Sequence, residues 1–312
     1  MVFHQRVLYL TLPLLLLCCV CRSDDAQKAS RDESAGARGK AKSTTPFVRV
    51  RELDDGEPAA LETAIVRFAS PTGKEPSIVV DLIGVVHIGD QTYYEKLNAI
   101  FPQYDALLYE LVAPENARVP RAGDKRRSGS MLSGVQRMMK SMLDLEFQLD
   151  HIDYTEKNFV HADMSPKEFA KTMSDRNESF LKMFFKAMGH GAAMQAKDPE
   201  RFNDAAMLMA LFARDRALRL KRLMARQFED LETMTVMFNG PDGSTIITER
   251  NKKAFKVMDR EITAGKKRLG VFYGAGHLPD MEQRLINDYG LELKEVRWLS
   301  AWSLQPKEKS KD

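Results

Sequence analysis

Two histidines stand in matching sequence contexts, 190 positions apart. His87 ends the stretch Leu82-Ile-Gly-Val-Val-His87, and His277 ends the stretch Gly270-Val-Phe-Tyr-Gly-Ala-Gly-His277. Each stretch is a short apolar run closed by Gly-x-x-His, so each imidazole is predicted to emerge where a buried strand ends. Because the chain has only six histidines, two of them in the same context indicate a built site.

Glu110 is the third candidate, because it lies inside the apolar string Leu107-Leu-Tyr-Glu-Leu-Val112. A carboxylate in such a string is costly to bury unless it is paired or bound to a cation. The alternative is a glutamate that points to water at a strand edge or forms a structural ion pair. Two imidazoles and one carboxylate are a ligand set that suits zinc, manganese, iron or cobalt and leaves positions open for water and substrate.

A metal held in this way would lower the pKa of bound water and polarise a carbonyl, as amide or ester hydrolysis requires. Further candidates follow one another near the start of a predicted helix: Arg250 for stabilising an oxyanion, Glu249 as a fourth ligand or proton carrier, and, at lower rank, Asn251. His161 and Asp163 rank low as well. They either contribute from a further strand end or cap the helix that follows.

The amino-terminal half is predicted to bring Glu110 beside His87. A hairpin over residues 63–83 comes first, and its second strand continues to His87. Asp90 then caps a helix whose apolar residues follow the 3.6-residue period. A strand over 104–112 completes a strand-helix-strand unit, whose strands are normally parallel neighbours joined by a right-handed crossover. Both strands are therefore expected to end at the same edge of the sheet.

The carboxyl-terminal half is predicted to bring a helix start to His277. A helix over 246–264 leads directly into a strand over 269–273, and a crossover helix runs antiparallel to the strand that it feeds. Its first turn therefore lies over the edge where that strand ends, which places residues 249–251 near His277. A further helix and a final strand over 291–299 close the predicted domain.

The first 21 residues are predicted to be an export signal. An apolar stretch over 7–21 follows Arg6, and about 15 residues are short for a bilayer span, which needs roughly 20. Cleavage is expected after Cys21, with a lipid anchor as the alternative. All three cysteines lie in this segment, so the mature chain is expected to have no cysteine and no membrane span.

Residues 22–46 are polar and are predicted to be a disordered linker. One α/β domain over 47–302 and a charged tail over 303–312 follow. Fourteen of the 17 methionines lie in a helical insertion at about 130–237, which is either ordinary core or an adaptable binding surface. The formal net charge of +3 gives no argument for a nucleic-acid partner.

The motifs Gly84-Val-Val-His87 and Gly274-Ala-Gly-His277, the strand with Glu110, and Glu249-Arg-Asn251 resemble the TraB/PrgY/GumN superfamily, which includes the Tiki metalloproteases. The resemblance covers roughly residues 60–302, and the chain is more distantly similar to the erythromycin esterase and ChaN-like group. The resemblance implies an α/β fold with a mixed, largely parallel central sheet, flanking helices and a helical insertion.

For the Tiki members, the resemblance implies divalent-metal-dependent cleavage of peptides. The Gly-x-x-His histidines and a glutamate lie at the centre, which carries over to His87, His277 and Glu110. The first motif departs from the family pattern, because Val85-Val86 stand where many relatives have threonine after the glycine.

The leading hypothesis is an exported hydrolase that depends on a divalent metal (Mn, Co or Zn) and cleaves a peptide or protein. One alternative is a metal-independent hydrolase of the esterase type, with His87 as general base and Glu110 orienting it. Another is a non-catalytic binder that sequesters a peptide, pheromone or haem through the methionine-rich helices. Competing signatures are missing, since the sequence has no His-Glu-x-x-His and no phosphate-binding loop. It predicts neither the substrate nor the oligomeric state.

Overall fold

The structure is a computed structural model that describes residues 45–73, 75–114, 142–179, 181–182, 209–228 and 242–306. The predicted export signal, most of the linker, the end of the tail and much of the methionine-rich insertion lie outside these ranges. The question of a methionine-lined binding surface therefore also lies outside them. In the described ranges, no helix combines the length and apolar character needed to cross a membrane.

Described residues just outside the predicted domain bounds of 47–302 also pack into the domain. Thr45 is buried and its hydroxyl donates to Glu282, while Leu304 is fully buried and its amide donates to the carbonyl of Ala59. Packed residues of the described chain therefore lie beyond both predicted bounds.

Seven strands of the described chain form one sheet, and two short strands form a separate ribbon. In chain order the strands are β1 Val48–Glu52, β2 Pro58–Ala69, β3 Val79–Val85, β4 Ile88–Gly89, β5 Ala106–Tyr109, β6 Glu146–Phe147, β7 Phe159–His161, β8 Arg268–Gly274 and β9 Glu292–Ser303. The sheet order is β1-β2-β3-β8-β5-β7, with β9 paired to β2, while β4 and β6 form the ribbon. The predicted hairpin is confirmed as the antiparallel pair β2 and β3.

Strands β3, β8, β5 and β7 are mutually parallel, so their carboxyl ends meet at one edge. The prediction that β3 and β5 are neighbours is wrong, because β8 lies between them. Six successive residues of β8, from Leu269 to Gly274, are buried, and such a continuously buried strand belongs in the centre of a sheet that is covered on both faces.

The described helices are α1 Gln91–Ile100, α2 Gln148–His151, α3 Pro166–Asp175, α4 Arg216–Phe228, α5 Arg250–Thr263 and α6 Leu278–Asn287. Helix α3 begins with a capping box between Ser165 and Glu168. Asp90 is the N-cap residue of α1, as predicted, but its side chain makes no capping hydrogen bond. Its carboxylate accepts instead from Lys221 and from the amide of Ser303, which ties α4 and β9 to the loop after β4.

Helices cover both faces of the sheet, as expected for an α/β domain. Buried residues of α1 and α4 pack on one face, and those of α5 and α6 pack on the other. The predicted mixed α/β architecture with a largely parallel central sheet is confirmed.

Candidate functional site

The carboxyl ends of β3, β8 and β5 bring His87, His277 and Glu110 together around Gly274. A Cβ atom at Gly274 would lie 3.2 Å from Oε2 of Glu110, 3.6 Å from Nε2 of His87 and 3.8 Å from Cδ2 of His277. Parallel register places Val85 opposite Gly274, so both Gly-x-x-His motifs leave the sheet at nearly the same level. Glycine leaves the space among the three groups open, whereas a side chain would enter it.

Glu110 is buried and ionised. Its Oε1 accepts from Nη2 of Arg250 at 2.6 Å, and its Oε2 accepts from the amide of Gly274 at 2.7 Å. Burial alone would raise the pKa of this carboxyl. Arg250, the two histidines and the Gly274 amide more than offset that effect, so the pKa of Glu110 lies well below its usual range.

Arg250 is the cationic centre of the buried site. Its Nε and Nη2 donate to the two carboxylate oxygens of Asp163 at 2.9 and 2.5 Å, which is a bidentate geometry. Nη2 also donates to Glu110. Burial opposes the guanidinium charge, but Asp163 and Glu110 hold the pKa of Arg250 above its usual value. Two carboxylates thus share one guanidinium, which leaves one negative charge in excess.

His277 is buried, and Asn251 orients it. The Nδ1 of His277 lies 2.7 Å from Oδ1 of Asn251, while Nδ2 of Asn251 donates to the backbone oxygen of His277 and to Asp280. Both of these partners are acceptors, so the amide oxygen of Asn251 faces the ring, and Nδ1 carries the proton. Nε2 then lies 3.5 Å from Oε1 of Glu110 and 3.4 Å from Nη1 of Arg250.

The charge state of His277 follows from its burial. Burial lowers the pKa of His277 to about 4, with Glu110 opposing this shift and Arg250 adding to it. The imidazole is therefore neutral at physiological pH and can present the Nε2 lone pair.

His87 is half-buried, and Gln148 orients it. The Nδ1 of His87 lies 2.9 Å from the side-chain Oε1 of Gln148. The backbone amide of Gln148 also donates to the backbone oxygen of His87 at 3.0 Å. The ribbon of β4 and β6 sets this contact, because Ile88 pairs with Phe147. Sequence reasoning missed Gln148, since no motif in the stretch Leu145-Glu-Phe-Gln-Leu-Asp150 marks it as a site residue.

The remaining predicted residues separate into two groups. Arg250, Asn251 and Asp163 join the site through the contacts above. Glu249 does not join it, because its carboxylate pairs with Lys252 at 2.8 Å and with Arg176 at 3.4 Å. His161 is also held apart, since its Nε2 lies 2.6 Å from the backbone oxygen of Leu111.

A wide helical turn explains this division. Residues Thr245–Glu249 form a π-helical turn before α5, and such turns occur frequently at functional sites. The helix continues at Arg250, which faces inward with Asn251, whereas Glu249 remains at the rim. The helix start therefore approaches His277 as predicted, but it presents two residues of the triplet and not three.

The donor types of the site suit a divalent cation. Two imidazoles have Nδ1 on an amide oxygen, Glu110 is ionised, Gly274 leaves the intervening space free of side chain, and the cluster has one negative charge in excess. Among the described residues, however, no three His, Cys, Asp or Glu side chains form a ready metal-ligand group. A cation at Glu110 would compete with Arg250 for the carboxylate, so binding requires a small local shift.

A scan against protein-family models and searches of curated proteins and of solved structures found no match to this chain. The resemblance to the TraB/PrgY/GumN superfamily therefore rests on the motif residues alone.

Proposed function

We propose that this chain is an exported, metal-dependent hydrolase of the TraB/GumN type that cleaves a peptide or protein. One observation carries the proposal. Two imidazoles with their Nδ1 atoms taken by amide oxygens surround an ionised, buried Glu110 in a cluster with an unbalanced negative charge. The predicted export signal supports the location, and the family resemblance supports the peptide substrate.

His87, His277 and Glu110 would hold the ion, with Mn, Co or Zn as candidates. When bound, the ion would supply an activated water and polarise the scissile carbonyl. The chain's own residues prepare the site. Arg250 keeps Glu110 ionised and would stabilise a developing oxyanion, while Gln148 and Asn251 hold the two rings in place.

The test combines elemental analysis of the purified protein with cleavage of a peptide library. Wild type is expected to carry one equivalent of a divalent metal and to cleave peptides, and His87→Ala and His277→Ala are expected to lose both properties. His151→Ala is the matched control, because His151 pairs with Glu146 and not with Glu110. A His87→Ala protein that is metal-free and fully active would overturn the proposal.

A metal-independent hydrolase is the second candidate, and the hydrogen bonds of Glu110 favour it. Both carboxylate oxygens already have partners, Gly274 and Arg250, so the site is satisfied without a cation. His87 would then act as general base through Nε2, oriented by Gln148 and not by Glu110 as the sequence suggested. Peptide or ester cleavage that persists in strong chelator, and that is lost in His87→Ala, would select this candidate.

A further inference from the structure

We propose that Gln148 and Asn251 are matched positioning residues that fix His87 and His277 in the same tautomer, with the proton on Nδ1. Each imidazole then presents its Nε2 lone pair toward the region of Glu110 and Gly274. Neither amide residue touches the reacting groups, and each acts through the histidine that it holds.

The two contacts share one design although they come from unrelated elements. Gln148, at the start of α2, binds His87 twice: its side chain takes Nδ1 and its backbone amide donates to the histidine's backbone oxygen. Asn251, in the first turn of α5, also binds both the Nδ1 and the backbone oxygen of His277. A double contact to ring and backbone fixes ring orientation more closely than a single hydrogen bond does.

The amide of Gln148 has a second partner that completes its orientation. Its Nε2 donates to the hydroxyl of Tyr154 at 2.6 Å, and in this orientation Oε1 faces the imidazole. Tyr154 is itself buried and packs against the ring of Tyr109 in β5. The orientation of His87 is therefore tied to the strand that carries Glu110.

The neutral amides suit the charge of this site. Glu110 and Asp163 already exceed Arg250 by one negative charge, and a further buried carboxylate behind either histidine would enlarge the imbalance. An amide oxygen accepts the Nδ1 proton without adding charge.

The test reads the tautomers directly in the full chain, labelled with ¹⁵N-histidine and kept free of added metal near neutral pH. Long-range ¹H–¹⁵N correlation spectra distinguish a protonated ring nitrogen from one with a lone pair. His87 and His277 are expected to be protonated on Nδ1. His161 is the internal control and is expected to show the opposite tautomer, because the backbone oxygen that contacts its Nε2 can only accept a hydrogen bond.

Matched variants test whether Gln148 and Asn251 set the tautomers of His87 and His277. Gln148→Leu is expected to release the Nδ1 tautomer of His87 and to leave the His277 and His161 signals unchanged, which also shows that the fold is intact. Gln148→Glu, which accepts the same proton, is expected to restore the tautomer. Asn251→Asp is the corresponding conservative variant for His277. A wild-type His87 protonated on Nε2, or a His87 tautomer that is unchanged in Gln148→Leu, would overturn the proposal.

A second readout uses Co²⁺ alone, followed by its visible absorption, and this part rests on the proposed function. Gln148→Leu is expected to weaken Co²⁺ binding about 10–100-fold, the usual effect of removing a partner of a ligand histidine, whereas Gln148→Glu retains it. Unchanged Co²⁺ affinity in Gln148→Leu would contradict a positioning role toward metal. Absence of Co²⁺ binding in wild type would count against the proposed function, while the tautomer measurement still decides the roles of Gln148 and Asn251.

Discussion

Asp81 and Glu110 are both buried carboxylates inside apolar strands, yet their surroundings differ. Asp81, in β3, is fully buried, and both of its oxygens accept from Arg67 at 2.8 Å. Tyr104 also donates to it, and Arg297 lies 3.5 Å away. Glu295 approaches both arginines, so two carboxylates meet two guanidinium groups and the charges balance.

The site around Glu110 also has two carboxylates, Glu110 and Asp163, but only one guanidinium, together with two imidazoles. The balanced cluster satisfies Asp81 with donors from its own fold, whereas the cluster at the sheet edge keeps a negative charge and ring lone pairs directed inward. A buried carboxylate is therefore not by itself the mark of a functional site. The unbalanced charge and the two imidazole Nε2 atoms beside it are more informative.

Removing Arg250 is expected to have the largest effect on stability. Arg250→Met leaves Glu110 and Asp163 buried without a cation, and the free energy of unfolding is expected to fall by roughly 3–5 kcal/mol. Urea unfolding in the presence of chelator measures this loss. Adding Asp163→Asn to the variant removes one of the two stranded charges and is expected to recover part of the stability. A double variant no more stable than Arg250→Met would contradict the assignment of charge.

Removing Arg67 tests the balanced cluster. Arg67→Met is expected to lower the free energy of unfolding by at most about 3 kcal/mol, less than a fully buried pair, because Arg67 is a quarter exposed and Tyr104 and Arg297 remain. The Co²⁺ affinity is expected to equal that of wild type, because Asp81 lies near the other end of β3. A Co²⁺ affinity that falls with stability would show that the two clusters are not separate.

Alanine substitutions at Gly274 and Gly84 distinguish a loss of space in the site from overpacking in the core. A Cβ at Gly274 would contact the donor atoms of the site, so Gly274→Ala is expected to weaken Co²⁺ binding at least tenfold and to change stability by roughly 1 kcal/mol. A Cβ at Gly84 would instead meet Leu278 at 3.1 Å and the carbonyl of Ala64 at 3.2 Å. Gly84→Ala is therefore expected to cost about 1–3 kcal/mol by overpacking while binding is retained. Equal effects on binding would contradict this division.

Part of the fold and of the candidate site can be predicted from the sequence alone. Hydrophobic periodicity and chain direction predicted the hairpin, helix α5 before β8, and the sheet edge where His87, Glu110 and His277 meet. These features depend on local patterns and on the rule that parallel strands end together. Asp81 shows the limit, because it stands in an apolar strand just as Glu110 does and serves an internal ion pair.

The parts that sequence could not predict depend on long-range placement. The position of β8 between β3 and β5 is a long-range pairing that local periodicity does not report, because all three strands are almost continuously buried. Gln148 reaches His87 only through the β4–β6 ribbon, 61 positions away. Glu249 differs from Arg250 by one position, and the π-helical turn decides which of the two faces inward.

An exposed carboxylate completes the comparison and gives the smallest expected effect. Lys253 is the main cause that lowers the pKa of Glu168 to about 2, with burial opposing and the Ser165 amide contributing. The side chain of Glu168 is 45% exposed, so solvent screens the pair. Glu168→Gln keeps the capping hydrogen bond of α3 and removes only the charge, and the expected loss at neutral pH is about 0.5 kcal/mol.

The pH dependence of that loss follows from the direction of the pKa shift. Because the folded pKa of Glu168 lies below its usual value, its contribution to stability is fully present above about pH 4.5 and is lost as the pH falls toward 2. The difference in the free energy of unfolding between wild type and Glu168→Gln, measured between pH 7 and pH 3, is therefore expected to narrow toward the acid end. A difference that stays constant over this range would assign the effect of Glu168 to packing and not to charge.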